Sequence, residues 1–289
     1  MKKPLISVII PVYNRSNLLK EAVNSVMSQS FADFELIIAD DCSEEDIQKA
    51  VETLLVRENI SIKFLRLQKH SGMPGLVRNF GCKAAEGRYI AFLDSDDLWL
   101  PDKLEKQVAR LAGNSAVSIC HTREIWQRGE KVVSQASQRH KREGDIFEDA
   151  LAKCIMGPST VIMERGLFEK LGGFREDIEI AEDYELWLRV TAGSAAAYID
   201  EPLVIKRTGD WPQLSEKYGQ IEIFRINALK QLVESAYFSG EKMVLAKRAL
   251  AEKCRIYAAG CRKRGREDEA VLYDGIIAQI FGASLTKDA

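Results

Sequence analysis

Apolar residues in the first third of the chain fall into two alternating patterns. Short unbroken runs, Leu5–Val12, Phe34–Ala39, Ile62–Leu67 and Tyr89–Leu93, have the pattern of strands covered on both faces. Between them apolar residues recur with helical spacing, as in Leu18, Leu19, Ala22, Val23, Val26 and Met27, for which Ser16 is the expected N-cap. Further helices are expected over about 44–57 and over Leu76–Ala85, the latter ending at Glu86-Gly87 with glycine as a left-handed cap. Beyond residue 100 the same reasoning predicts a helix over Pro101–Leu111 and a strand over Ala116–His121. A polar stretch over 124–138 follows, with a hairpin turn at Gly129-Glu130. Then come a helix over Asp145–Ile155, a short strand to Met163, a helix to Leu171, and a tight turn at Gly172-Gly173-Phe174. A helix starting at Glu182 and a last strand over Tyr198–Val204 complete the series. After Gln213 the spacing is helical throughout, with breaks at Gly240 and Gly265, and predicts three helices packed as a small bundle.

Strand–helix alternation at this pace belongs to an α/β protein with a doubly wound, mostly parallel sheet, in which ligands bind beyond the carboxyl ends of the strands. Polar residues gather at those ends: Tyr13 and Asn14, Asp40 and Asp41, and Asp94-Ser95-Asp96-Asp97. In extended chain Asp94 and Asp96 project to one side, and two hard oxygen ligands there suit Mg²⁺ or Mn²⁺. A turn whose acids cap the next helix is the competing reading, and the motif alone leaves both open. No glycine-rich phosphate loop follows the first strand, so a phosphate-bearing ligand would need a metal or basic side chains.

Composition narrows the classes. The 289 residues suffice for one large or two smaller domains, and a formal net charge of −2 argues against a nucleic-acid partner. No apolar stretch approaches the length of a membrane span, and the run after Met1-Lys2-Lys3-Pro4 is too short for a signal peptide. Six scattered cysteines without a Cys-x-x-Cys pair argue against structural zinc and fit a reducing cytoplasm. The basic turn Arg262-Lys263-Arg264-Gly265-Arg266 is read as a solvated helix end rather than a lipid contact.

Four blocks in order carry a resemblance. They are Val8–Arg15; Asp40-Asp41-Cys42-Ser43; Arg78-Asn79-Phe80-Gly81 through Gly87–Asp97; and Gly172-Gly173-Phe174 followed by Glu182–Trp187. Together, over roughly residues 5–205, they resemble glycosyltransferase family 2, inverting enzymes with the GT-A type nucleotide-sugar-binding fold. The resemblance implies a transferase domain over 1–212, with a nucleotide-sugar half over about 1–97 and an acceptor half over about 98–212. The helices of 213–289 lie outside that common core.

It also implies roles. Pro11 and Tyr13 line the base and ribose, and Asp41 reads a uracil ring N–H while Asp40 is structural. Arg78 lies near the nucleotide. Asp96 binds the metal, Asp94 the ribose or a metal-bound water, and Asp183 is the catalytic base. Such a site serves a nucleotide-diphospho-sugar, UDP-linked above all, and a saccharide or lipid-linked acceptor in surface-polysaccharide assembly. A lipid-linked acceptor would place a cytoplasmic protein at the inner membrane face. Whether the chain acts as a homodimer is left open.

The chain departs from the family pattern in two places. Cys42 stands where relatives often carry glycine, and no histidine occurs in 206–215, where many relatives place one against the metal or diphosphate. Asp210 is the candidate substitute ligand and Lys206 or Arg207 the candidate diphosphate partner, while Trp211 either stacks on a sugar or packs. Asp97, one residue past the matched pair, is expected to cap the turn into the Pro101 helix. Two other functions stay in view. A nucleotidyltransferase that makes the sugar nucleotide is disfavoured by the missing glycine-rich basic loop. A non-catalytic nucleotide- or carbohydrate-binding module has no need of Asp41, Asp94, Asp96 and Asp183 together.

Overall fold

The computed structural model describes residues 3–54, 60–114, 116–129, 131–133, 142–209 and 221–282. Its centre is a nine-stranded sheet with the path β3-β2-β1-β4-β8-β6-β9-β5, and β7 pairs with the outer half of β6. In chain order the strands are β1 (Ile6–Val12), β2 (Phe34–Asp40), β3 (Ile62–Arg66), β4 (Tyr89–Phe92) and β5 (Leu98–Trp99). β6 (Ile119–Arg128), β7 (Lys131–Val133), β8 (Ile162–Glu164) and β9 (Ala196–Thr208) follow. β3, β2, β1 and β4 run parallel, and the antiparallel pairings of β8 with β4 and β6 and of β5 with β9 make the sheet mixed. This is the Rossmann-like α/β architecture expected, with a helical extension at its end.

The unbroken apolar runs have a simple cause. Successive side chains of a strand point to opposite faces, and here both faces are covered. Ile6, Val8, Ile10 and Val12 of β1 enter one core with Leu36 and Ile38. Ile9, Ile37, Ile90 and Phe92 enter the other. The first core is closed by α1 (Ser16–Met27) through Leu19, Ala22, Val23 and Val26. α2 (Ile47–Val51), a 3₁₀ turn over Glu52–Leu54, α3 (Pro74–Cys82) and α4 (Lys103–Ala112) complete the first half. α5 (Phe147–Ala152), α6 (Arg165–Lys170) and α7 (Glu182–Gly193) belong to the second.

Several local expectations need correction. Ser16 is the first helical residue, not the cap. Arg15 precedes it in a left-handed conformation, and the Glu45 carboxylate accepts the Arg15 and Ser16 amides at 3.1 and 2.9 Å. Of the helix expected over 44–57, the described part is a short α segment starting at the Asp46 cap, whose side chain accepts the Lys49 amide, followed by the 3₁₀ turn, and 55–57 lie outside the described residues. The strand expected over 116–121 continues to Arg128. Tyr198–Val204 is the middle of a longer β9 that runs alongside it. Gly87 is not a left-handed cap, since α3 ends at Lys83 in right-handed geometry. Its role is close approach: a Cβ there would lie 2.6 Å from the Ser7 nitrogen. Gly87 sits in a buried polar knot in which its amide donates to Ser7 Oγ (2.9 Å) and that hydroxyl donates to Glu35 (2.6 Å).

The C-terminal residues form α8 (Ile221–Glu234), α9 (Gly240–Arg262) and α10 (Glu267–Phe281). Their apolar faces share one core with Phe147 and Leu151 of α5 and with Tyr184 and Leu188 of α7. Lys242 of α9 donates to the Thr191 and Ala192 carbonyls at 3.1 and 2.8 Å, which satisfies orphan acceptors at the α7 C-terminus. The basic turn is paired within the chain, Arg262 to Glu267 and Asp274, and Arg266 to Glu269. Among the described residues no helix is long and apolar enough to cross a membrane. The expected division at 212/213 lies outside the described residues.

Replacing Gly87 by alanine should force Cβ into the β1 backbone and destabilise the protein by about 2–3 kcal/mol. A urea or thermal unfolding curve indistinguishable from the parent would count against the close-approach role.

Candidate active site

Four strand ends and one helix start meet at the carboxyl edge of the parallel strands. β1 delivers Pro11, Tyr13, Asn14 and Arg15, and β2 delivers Asp41, 4% exposed. Asp41 is fixed by the loop after β3. Its two oxygens accept the Ser71 and Gly72 amides at 2.8 and 3.0 Å, and His70 Nδ1 lies 2.9 Å from Oδ2. The His70 ring stacks on Tyr13, with centroids 3.7 Å apart and planes inclined by 19°. The result is an aromatic plate beside a rigid, buried carboxylate. Asp40 is structural, as expected: it takes the Ser43 amide (2.9 Å) and pairs with Arg66 (2.6 Å).

After β4 the chain turns, with the Asp97 amide bonded to the Asp94 carbonyl at 2.9 Å. Asp94 Oδ1 is 2.6 Å from Arg78, and Asp96 Oδ2 is 3.0 Å from Arg15. Asp97 does not cap the next helix. It is buried, accepting the Ser159 hydroxyl (2.7 Å) and the Arg207 amide (3.1 Å), and Asp102 stands at the α4 N-cap instead. Burial pushes the Asp97 carboxyl well above the usual range, against the pull of Lys206 and with the push of Asp94 and Asp96.

Arg78 connects the two halves of the site. Its buried guanidinium holds Asp94 on one side and Glu182 (2.5 Å) on the other, over the Phe174 ring. Burial works against the Asp94 charge, but Arg78 outweighs it and holds the carboxyl below its ordinary value. The neighbouring Asn79 binds the Phe174 backbone through both its amide groups, at 2.8 and 3.0 Å. Arg189 of α7 donates to the Leu171 and Gly173 carbonyls at 2.6 and 2.7 Å. The Arg78-Asn79 block, the Gly172-Gly173-Phe174 turn and the start of α7 therefore hold one another.

α7 opens at Ala181, a left-handed residue with φ 68°, and its first turn carries Glu182, Asp183 and Glu185 at the positive end of the helix dipole. Asp183 accepts the Cys154 thiol at 3.4 Å through Oδ2, and its Oδ1 is 2.7 Å from the Tyr184 amide. Burial, then the Asp183 charge, push the Cys154 thiol well up. On β9, desolvation works against the charge of the half-buried Lys206, but Glu124, Asp97, Asp94 and Asp183 outweigh it and hold the ammonium above its ordinary value. Arg207 is engaged otherwise, donating to the Asp96 carbonyl (2.6 Å) and pairing with Glu21 (2.5 Å). Asp210 and Trp211 lie outside the described residues.

Of the residues singled out in the sequence, Pro11, Tyr13, Asp41, Asp94 and Asp96 thus lie at strand ends of one sheet edge, Arg78 reaches Asp94 from α3, and Asp183 adjoins its other partner, Glu182. Sequence reasoning missed His70, Ser159 and Cys154. Each acts by spatial contact with a residue 29 or more positions away, so no local pattern marks it.

The family model for glycosyl transferase family 2 matches residues 7–172. The chain belongs to that family. In Escherichia coli, a UDP-Glc:α-D-GlcNAc-diphosphoundecaprenol β-1,3-glucosyltransferase, WfgD, is 33% identical over 64% of this chain and 69% of its own length. Across curated relatives the chain spans between 28% and 75% of their length. Among solved structures, S. aureus TarS in complex with UDP-GlcNAc has a similar fold. Its TM-score is 0.74 at 22% identity, over 96% of this chain and 81% of that one. A mannosyltransferase from Pyrobaculum calidifontis, in complex with GDP-Man and Mn²⁺, matches with TM-score 0.59 at 20% identity, over 96% and 81%. The protein is thus a family-2 glycosyltransferase of GT-A type.

The Arg78 bridge has a pH signature. Burial raises the Glu182 carboxyl from 4.5 to about 7, against the pull of Arg78. Between those values the folded protein keeps a proton that the unfolded chain has released. This contribution is therefore complete below pH 4.5 and lost as pH rises through 7, by up to about 3 kcal/mol. Chemical denaturation from pH 4.5 to 7.5 should show that decline, and Glu182→Gln should flatten it; an unchanged slope in the variant would reject the assignment.

Proposed function

We propose that the chain moves a sugar from a UDP-linked donor to a hydroxyl of a saccharide or lipid-linked saccharide acceptor, by single displacement with inversion. The observation that supports this reading is the Arg78 bridge, in which one buried guanidinium holds the strand-end acid Asp94 and the helix-start acid Glu182, the neighbour of Asp183. The base of the donor would rest against Tyr13, with Asp41 accepting its ring N–H and Asp94 meeting the ribose. Residues 1–97 would thus serve the donor and 98–212 the acceptor. The UDP-GlcNAc complex of TarS and the UDP-glucose specificity in the name of WfgD support the choice of nucleotide.

Among the described residues no group of three or more His, Cys, Asp and Glu could hold a metal ion, and Asp94 and Asp96 are each met by an arginine. Two hard oxygen donors on one turn still suit Mn²⁺ or Mg²⁺. Asp96 and Asp94 would hold it. When bound, such an ion acts as a Lewis acid that neutralises the leaving diphosphate. Of the two candidate diphosphate partners, Arg207 is engaged by Asp96 and Glu21, so Lys206 would add the second positive charge in place of the absent histidine.

Asp183 would take the acceptor proton. A carboxylate suffices as base when the proton leaves late, after the anomeric carbon has become oxocarbenium-like. The Cys154 thiol and the α7 N-terminus would fix its orientation. If the acceptor is lipid-linked, the protein works at the inner membrane face by peripheral contact.

Asp183→Asn should lower transfer by about a thousandfold or more, read as nucleotide released from UDP-sugars, while UDP affinity by calorimetry stays within about twofold. Weakened UDP binding with normal turnover would remove Asp183 from the role of base.

A further inference from the structure

One side chain of the protein already meets both groups proposed to hold the donor base. His70, in the loop after β3, lies flat on Tyr13, with ring centroids 3.7 Å apart and planes inclined by 19°. The Nδ1 of the same ring is 2.9 Å from Asp41 Oδ2 and 3.2 Å from the Asp41 carbonyl oxygen. With its proton on Nδ1, the imidazole donates to the carboxylate at ordinary hydrogen-bond length. A flat heterocycle that rests on Tyr13 and gives a ring N–H to Asp41 is also the description of a seated uracil.

The imidazole shows which face of Tyr13 such a base needs. A single ring makes both contacts, so the face that His70 covers is the face within reach of Asp41. A base placed there with the same carboxylate in reach would overlap the imidazole. The acceptor capacity of Asp41 agrees. Each carboxylate oxygen offers about two lone-pair sites, and Oδ2 spends one on the Gly72 amide (3.0 Å) and one on His70. A further N–H gains Oδ2 only when the imidazole leaves.

The rest of the seat would stand without His70. Asp41 remains fixed by two backbone amides, Ser71 on Oδ1 at 2.8 Å and Gly72 on Oδ2. Its side chain is 5% exposed, whereas that of His70 is 44% exposed and has water to swing into. The movable member of the group is the ring that resembles a base.

We propose that His70 competes with the donor nucleobase for one seat, a stand-in that the nucleotide must expel from Tyr13 and Asp41. This deepens the proposed donor reading and rests on it. Only molecules whose imidazole has swung out can take the base, so the measured affinity is the intrinsic one reduced by that fraction. One aromatic stack and one hydrogen bond hold the ring in, enough to lower the affinity about tenfold.

Calorimetry of UDP binding to the full chain and to His70→Ala tests this, with thermal unfolding as the control for folding. His70→Ala should bind UDP about tenfold more tightly than the parent. An independent readout comes from proton NMR of the parent, in which the His70 ring signal is identified by its loss in His70→Ala. Stacking on Tyr13 shifts that signal upfield, and UDP should return it downfield as the ring leaves. Equal or weaker UDP binding by His70→Ala overturns the competition. So does a His70 signal that stays upfield, or moves further upfield, as UDP saturates the parent, since the base would then stack on the imidazole instead of replacing it. Failure of both proteins to bind UDP instead overturns the donor site on which the inference rests.

Discussion

The site depends on one buried arginine. Arg78 leaves α3 beneath the sheet edge and meets a carboxylate from each half of the fold, Asp94 after β4 and Glu182 at the start of α7. Two buried acids facing one another without a cation would repel and protonate. With Arg78 between them, Asp94 keeps its charge and α7 is drawn to the strand end. Removing one partner of such a buried network leaves an uncompensated charge, the costly case for buried ion pairs. The bridge is therefore better understood as a device that sets the distance between the strand-end turn and the start of α7 than as a source of net stability.

The surroundings of α7 follow from the same need. Its N-terminus carries three acids in the first turn, so it must be held by its other faces. Tyr184 and Leu188 enter a core built mainly by the C-terminal helices, the Tyr184 hydroxyl donates to the Leu151 carbonyl (2.8 Å), and Lys242 closes the far end. The helical extension thus forms the back wall of the helix that carries Asp183. On the opposite side, Asp97 and Arg207 fasten β9 to the strand-end turn, which fixes where Lys206 and its paired Trp126 stand.

Much of the architecture was legible from periodicity. Unbroken apolar runs mean strands covered twice, and the two cores on either side of β1 are that statement in three dimensions. Boundaries were less legible where tertiary contacts replace local signals. Glu45 caps α1 from another loop, so the serine that looks like a cap is not one. Gly87 reads as a helix stop but is demanded by a neighbouring strand. Asp97 reads as a cap for the turn into the Pro101 helix and is a buried acceptor for β9.

What the sequence by itself determined is the alternation of strands and helices, the placing of polar groups at strand ends, and the family. All of these are local or ordered along the chain, and hydrophobic period and short motifs encode them. Only the tertiary structure decided which acids share a cation, that His70 lies flat on Tyr13, that Cys154 and Ser159 reach the two ends of the site, and that Trp126 stands beside Lys206. These contacts join residues far apart in the chain. Their cause is the crossing of one sheet edge by several loops, which no single stretch of sequence records.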